Sequence, residues 1–182
     1  REEQIEQMLA ELGTERPGID LPSMAQVLSA YEGVRHHAVG LGIARDIGFR
    51  MPTLWAVEGH SRVAPVWLYR FDHATPMLHL LRIGATHATE LPYVWGTFGR
   101  RAHDISFRLG GRHEAERISA RMQQRWTAFA TGEAPNADGA VEWPAFDVDT
   151  RATLVIEAAD RVVPDLDHEL RTGWGDEVLA FP

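Results

Sequence analysis

The chain has 182 residues, 45% of them hydrophobic and 9% aromatic, and its formal net charge is −8 from 18 basic and 26 acidic side chains. That length suits one domain with a buried core, and the negative balance argues against a protein that seeks nucleic-acid phosphates. With no cysteine, a disulfide scaffold, an iron–sulfur cluster and a thiolate zinc site are excluded, and a cytoplasmic location is favoured.

Ile5, Met8, Leu9 and Leu12 form one apolar stripe, which predicts a helix stopping near Gly13, and Pro17-Gly18 marks a loop. Met24, Val27, Leu28 and Tyr31 repeat the stripe, with Ser23 as N-cap and Gly33 as stop. A further helix is expected over Asp46 to Glu58, with Pro52 at a kink or a start. Val63 to Phe71 is dense in β-branched and aromatic residues and reads as a buried, central strand. A loop with Pro76 leads to the segment Gly84 to Gly96. Glu114 to Ala130 returns to helix, with Ile118, Met122, Trp126 and Phe129 on one face and Arg117, Arg121 and Arg125 on another. After a loop beyond Gly132, Ala152 to Glu157 reads as the second strand. The tail from Asp165 to Leu179 holds a short helix interrupted at Gly173 and Gly175. Two interior-type strands leave edges and faces without partners, so the simplest arrangement places them in a larger sheet.

No apolar run reaches the ~18 residues of a membrane span, and Arg1-Glu2-Glu3-Gln4 has no signal-peptide character. Three look-alike motifs fail. Gly40-Leu41-Gly42-Ile43-Ala44-Arg45 lacks the third glycine of a dinucleotide fingerprint and has no strand before it. Gly59-His60-Ser61-Arg62-Val63 lacks the closing glycine of a nucleophile elbow and precedes a strand instead of following one. The Arg-rich window Arg100 to Arg125 has no aromatics interleaved on its Arg face, so it reads as a solvated helix surface and not as a nucleic-acid site. The nine histidines are scattered without metal-ligand spacing and read as surface or loop residues. His87 stands out among them because small residues, Gly84, Ala85 and Ala88, surround it, so that another backbone can approach closely. Taken alone it is a loop histidine, able to carry protons at neutral pH.

Four stretches together resemble the type-B carboxylesterases, the family of para-nitrobenzyl esterases, mammalian carboxylesterases and cholinesterases. Ala64-Pro65-Val66-Trp67-Leu68-Tyr69-Arg70-Phe71-Asp72 is similar to the strand before the catalytic histidine. Gly84-Ala85-Thr86-His87-Ala88-Thr89-Glu90-Leu91-Pro92-Tyr93-Val94-Trp95-Gly96 is similar to the histidine loop. Met122 to Gly132 with Pro135-Asn136, and then Trp143-Pro144-Ala145-Phe146-Asp147 with Arg151-Ala152-Thr153-Leu154, are similar to the helix, turn and closing strand beyond it.

The resemblance implies an α/β class: residues 1–182 as the C-terminal part of a single α/β-hydrolase domain, contributing helices plus a few strands of a larger, mostly parallel sheet. It implies that His87 is the triad base of a serine carboxylesterase, while the G-x-S-x-G serine, the oxyanion glycines and the triad acid precede residue 1. This segment by itself is then inactive, its partner being the remainder of the esterase polypeptide. Glu90 matches a position that supports the histidine loop. Phe49 lies where the family has a helix bordering the substrate pocket, and reads either as a pocket wall or as an ordinary core residue. The implied substrate is a small uncharged ester, with no metal or other cofactor. Two other readings stay open: a non-catalytic cholinesterase-like binding protein, and an independent small domain using its histidines for a metal.

Overall fold

A computed structural model of the chain describes residues 2–15, 22–32, 42–43, 45–98 and 105–175. The expected stops and loops at Pro17-Gly18 and Gly33, the motif opening at Gly40, and His36, His37 and His103 lie outside these residues. Two compact units are present, residues 1–64 with 167–182 and residues 65–166.

The first unit is helical. Helix α1 (Glu2–Glu15) runs through Gly13 instead of stopping there. Helix α2 (Met24–Ser29) begins where the sequence predicts, because the Ser23 hydroxyl accepts the Gln26 amide and satisfies one of the orphan donors of a first turn. The helix expected from Asp46 is two pieces. Asp46–Arg50 is a π-helical turn, and α3 (Met51–Ser61) follows with Pro52 in its first turn, the position where a missing N–H costs nothing. Met51, Leu54, Trp55 and Val57 of α3 are buried, as are Val27, Tyr31, Ile43, Leu170 and Trp174.

Within this unit, α7 (His168–Trp174) packs on α2. A Cβ added to Gly173 would fall 2.7 Å from the Ala30 Cβ, so glycine is what lets these two helices approach. Gly173 therefore lies inside α7, and the chain leaves the helix at Gly175. A buried polar cluster closes the unit. The Tyr31 hydroxyl donates to Asp46 Oδ2 at 2.8 Å, and the Trp174 indole donates to the Tyr31 oxygen at 3.4 Å. Arg45 caps the same carboxylate from its exposed side.

The second unit is a sheet covered by helices. Strands β1 (Leu68–Phe71) and β2 (Thr153–Ile156) pair in parallel, and β2 pairs antiparallel with β3 (Arg161–Val163), giving the order β1-β2-β3. The predicted first strand is therefore shorter than expected and lies at an edge among the described residues. Val63 is 81% exposed, and the Val66 carbonyl accepts the Phe146 amide in place of a ladder partner. The second strand is buried throughout, as a central strand must be. β3 has no signal in the sequence, because three residues carry too little alternation to register.

Three helices belong to this unit among the described residues, α4 (Pro76–Leu80), α5 (Leu91–Trp95) and α6 (Arg112–Ala130); α5 and α6 pack on the sheet, while α4 has no buried residue. The Pro76 loop is a short helix, started by the Thr75 hydroxyl accepting the Leu78 amide and by Pro76 in the first turn. The core gathers Tyr93, Ala115, Ile118, Met122, Trp143, Leu154 and Ile156, with Trp67, Tyr69 and Phe71 of the β1 region packed against it. Trp126 and Phe129, on the predicted apolar face of α6, are about half exposed.

The solvated reading of the Arg face needs correction. Arg125 is fully buried and donates to the carbonyls of Pro135 and Val141. Its guanidinium shares the Asp160 carboxylate with Arg121 and lies over the Trp143 ring at 5.7 Å. Burial pushes the Arg125 pKa down, and Asp160 opposes that shift. A charge on an amphipathic helix goes inside when a carboxylate from a distant loop meets it there, and helical spacing carries no signal of such a partner.

Candidate active site

The described geometry around His87 is local and well tied. The Thr86 carbonyl accepts the Thr89 amide at 3.1 Å and the Thr89 hydroxyl at 2.7 Å, while the Thr86 amide donates back to that hydroxyl at 3.2 Å. His87 and Ala88 are thus the central residues of a closed turn. Ala88 has φ +64°, at the position where such a turn usually demands glycine. His87 is exposed at the crest.

From the turn the chain passes straight into α5. The Leu91 amide donates to the Ala88 carbonyl at 3.3 Å, and the Tyr93 and Val94 amides donate to the Glu90 carbonyl at 2.9 and 3.1 Å. Gly96, with φ +59°, ends the helix in the left-handed conformation that glycine adopts without strain. α5 lies on α6, where the buried Ser119 hydroxyl donates to the Tyr93 carbonyl at 2.6 Å. A mobile-looking sequence of small residues is therefore mounted on a short helix locked to the longest helix of the unit.

Glu90 is half-buried at the foot of the turn. Its carboxylate adds to burial in raising the pKa of the Tyr69 phenol, so the charge of Glu90 is felt inside the sheet–helix layer. Beneath this region His73 is buried, against the surface or loop reading of the histidines. Its ring meets Phe71 at 6.2 Å and Tyr93 at 5.5 Å, both edge to face. The sequence pattern missed it because the signal for burial is the preceding strand, whose last ladder bonds place the Asp72 and His73 amides on the Ile156 carbonyl.

The other sequence candidates separate clearly. Phe49 lies in the other unit, on the π-helical turn, and at 71% exposed it is no core residue. Ser61, of the rejected elbow look-alike, donates to the Glu58 carbonyl at the end of α3, a helix C-terminus and not a strand-to-helix turn. Among the described residues no group of three His, Asp or Glu side chains is arranged to hold a metal, and no helix is long and apolar enough to cross a membrane.

A parallel β1–β2 pair with helical cover, and between the two strands a histidine turn feeding a short helix, is consistent with a partial α/β-hydrolase fold. The model of the carboxylesterase family matches residues 35–172, and the chain belongs to that family. It is 31% identical over 126 residues to the para-nitrobenzyl esterase of Bacillus subtilis (strain 168), covering 69% of this chain and 25% of that protein. It is 32% identical over 110 residues to the cocaine esterase of Homo sapiens, covering 56% of this chain and 18% of that protein. Among solved structures, a carboxylesterase of Geobacillus stearothermophilus superposes with a TM-score of 0.69 at 28% identity, covering 89% of this chain and 33% of that one. The chain thus spans about a quarter or less of the length of these curated relatives.

Proposed function

We propose that residues 1–182 are the C-terminal segment of one α/β-hydrolase domain of a serine carboxylesterase, and that His87 is its general base. The observation that carries this reading is the mounting of His87: an exposed imidazole on a hydrogen-bonded turn, fixed through α5 to the buried face of α6, in a chain of the carboxylesterase family. Rigid support under an exposed titratable group is what proton transfer in a defined direction requires.

In the complete enzyme the His87 imidazole takes the proton of a serine hydroxyl as that oxygen attacks the ester carbonyl. It then gives the proton to the departing alcohol, and an acyl-serine forms. Water repeats the sequence: His87 accepts a water proton as the acyl bond is attacked, and returns it to the serine. The serine, the acid that orients the imidazole and the oxyanion donors come from polypeptide outside this segment. A histidine without them supplies little rate, since the oxyanion donors and the nucleophile carry most of it, so this segment alone is inactive. Glu90 supports the loop, and the substrate is a small uncharged aryl or alkyl ester. The edge of β1 that faces away from β2 is where the remaining sheet joins.

The test is hydrolysis of a chromogenic short-chain ester by the complete polypeptide. His87→Ala lowers kcat by at least about 10³-fold with an unchanged circular dichroism spectrum. Turnover retained in that variant removes His87 as the base.

A further inference from the structure

His73 has a part that the proposed chemistry does not use. It is 6% exposed, and its Nε2 is buried without a hydrogen-bond partner. Its Nδ1 lies 3.7 Å from the Glu114 carboxylate at the start of α6, too far for a hydrogen bond. An imidazole left this way in a core is costly unless the site needs it. Its ring is pressed edge-on against Tyr93, and the Tyr93 amide is bonded to the Glu90 carbonyl, one residue from the turn that carries His87.

We propose that His73 is a positioning residue for the His87 turn: its neutral ring wedges Tyr93 and so seats the start of α5, and protonation in acid releases that seat. The inference rests on the reading of His87 as the base. The groups around the ring set the direction of the effect. Burial is the largest influence and lowers the His73 pKa; Glu114 of α6 opposes this, as does Glu157 after β2, more weakly. His79 of α4 and Arg121 of α6 disfavour the charge, and α5 contributes only the Tyr93 phenol ring. At neutral pH the ring is therefore uncharged. Once charged, it presents an Nε2–H donor to a pocket with no acceptor, and its single near carboxylate, Glu114, is partly exposed. The cation is drawn toward that carboxylate and solvent, away from Tyr93.

Hydrogen exchange of the peptide covering residues 84–96, measured in the full-length polypeptide at about pH 5 and pH 7.5, on either side of the ordinary histidine value, tests the coupling. After correction for intrinsic rates, wild-type exchange in this peptide speeds several-fold on acidification. His73→Phe keeps an aromatic wedge and cannot charge, so its acid response disappears while the neutral-pH protection stays. Glu114→Gln moves the onset to lower pH. In the pH profile of kcat/KM the acid limb moves down in His73→Phe, with little change at neutral pH. An identical acid response in His73→Phe overturns the proposal, and so does a response spread equally over the β2 and α6 peptides. If His87→Ala keeps turnover, the catalytic reading fails, while the exchange result still decides the role of His73.

Discussion

The Ser119 hydroxyl donates to the Tyr93 carbonyl at 2.6 Å between two buried residues, and this one bond ties α5, which leads out of the His87 turn, to the middle of α6. Ser119→Ala leaves a buried carbonyl without its donor and costs about 1–3 kcal/mol. Urea unfolding reads that loss as a lower midpoint at unchanged slope. Ester hydrolysis by the complete polypeptide falls as well, because the platform under His87 loosens. Full activity in this variant separates the platform from the turn.

Asp160 serves two guanidinium groups, Arg121 and Arg125, and is itself almost fully buried. Asp160→Ala strands the buried Arg125 charge, and breaking such a pair costs about 3–5 kcal/mol. Arg121→Ala is milder, since Arg125 still meets the carboxylate and Arg121 is partly exposed. Thermal unfolding of the two variants gives this order; an equal or inverted order refutes the shared-carboxylate account.

Ala88 holds φ +64° beside His87, a conformation that costs an L-residue about 1 kcal/mol and costs glycine nothing. Ala88→Gly relieves this strain but frees the unfolded chain, so the net change in stability is within about 1 kcal/mol. Catalysis is the sharper readout: a turn that relies on alanine for stiffness loses kcat on this change, with stability nearly constant.

Stability declines toward both pH extremes through two buried groups. The folded-state pKa of His73 lies below its unfolded value because burial disfavours the cation. The unfolded chain therefore binds more protons just below the ordinary histidine pKa of about 6.5, and stability present above that value is lost as the pH falls toward the folded pKa. Tyr31 behaves oppositely: burial, with the Asp46 carboxylate opposed by the Trp174 bond, raises its pKa well above the tyrosine range. Its contribution is whole below about pH 10 and is lost as the pH climbs past the unfolded value. Chemical unfolding from pH 5 to 11 shows the acid slope removed in His73→Phe and the alkaline slope removed in Tyr31→Phe.

Much of this architecture is legible where one local interaction decides it. Ser23 caps α2 and Pro52 opens α3 because capping and the missing proline N–H act within a turn. Long α6 and buried β2 declare themselves through period and composition. Two of the failures are non-local. Val63 to Trp67 has strand composition but no ladder partner, since the β1–β2 register begins at Leu68 and Thr153. Arg125 looks like a surface residue until Asp160 arrives from beyond β2. His87 is proposed from the resemblance of its loop to that of a family and not from its environment, while buried His73 carries no pattern at all. Sequence spacing reports what a helix or turn does to itself, whereas the Arg125–Asp160 pair and the limits of β1 are decided by partners more than thirty residues away.

The parallel pairing of β1 with β2 orders events during synthesis. Roughly eighty residues separate the two strands, so this non-local pairing cannot begin until both strands exist. While a ribosome is still adding α6, the aromatic edge of β1 waits without its neighbour, open to chaperones and to other nascent chains.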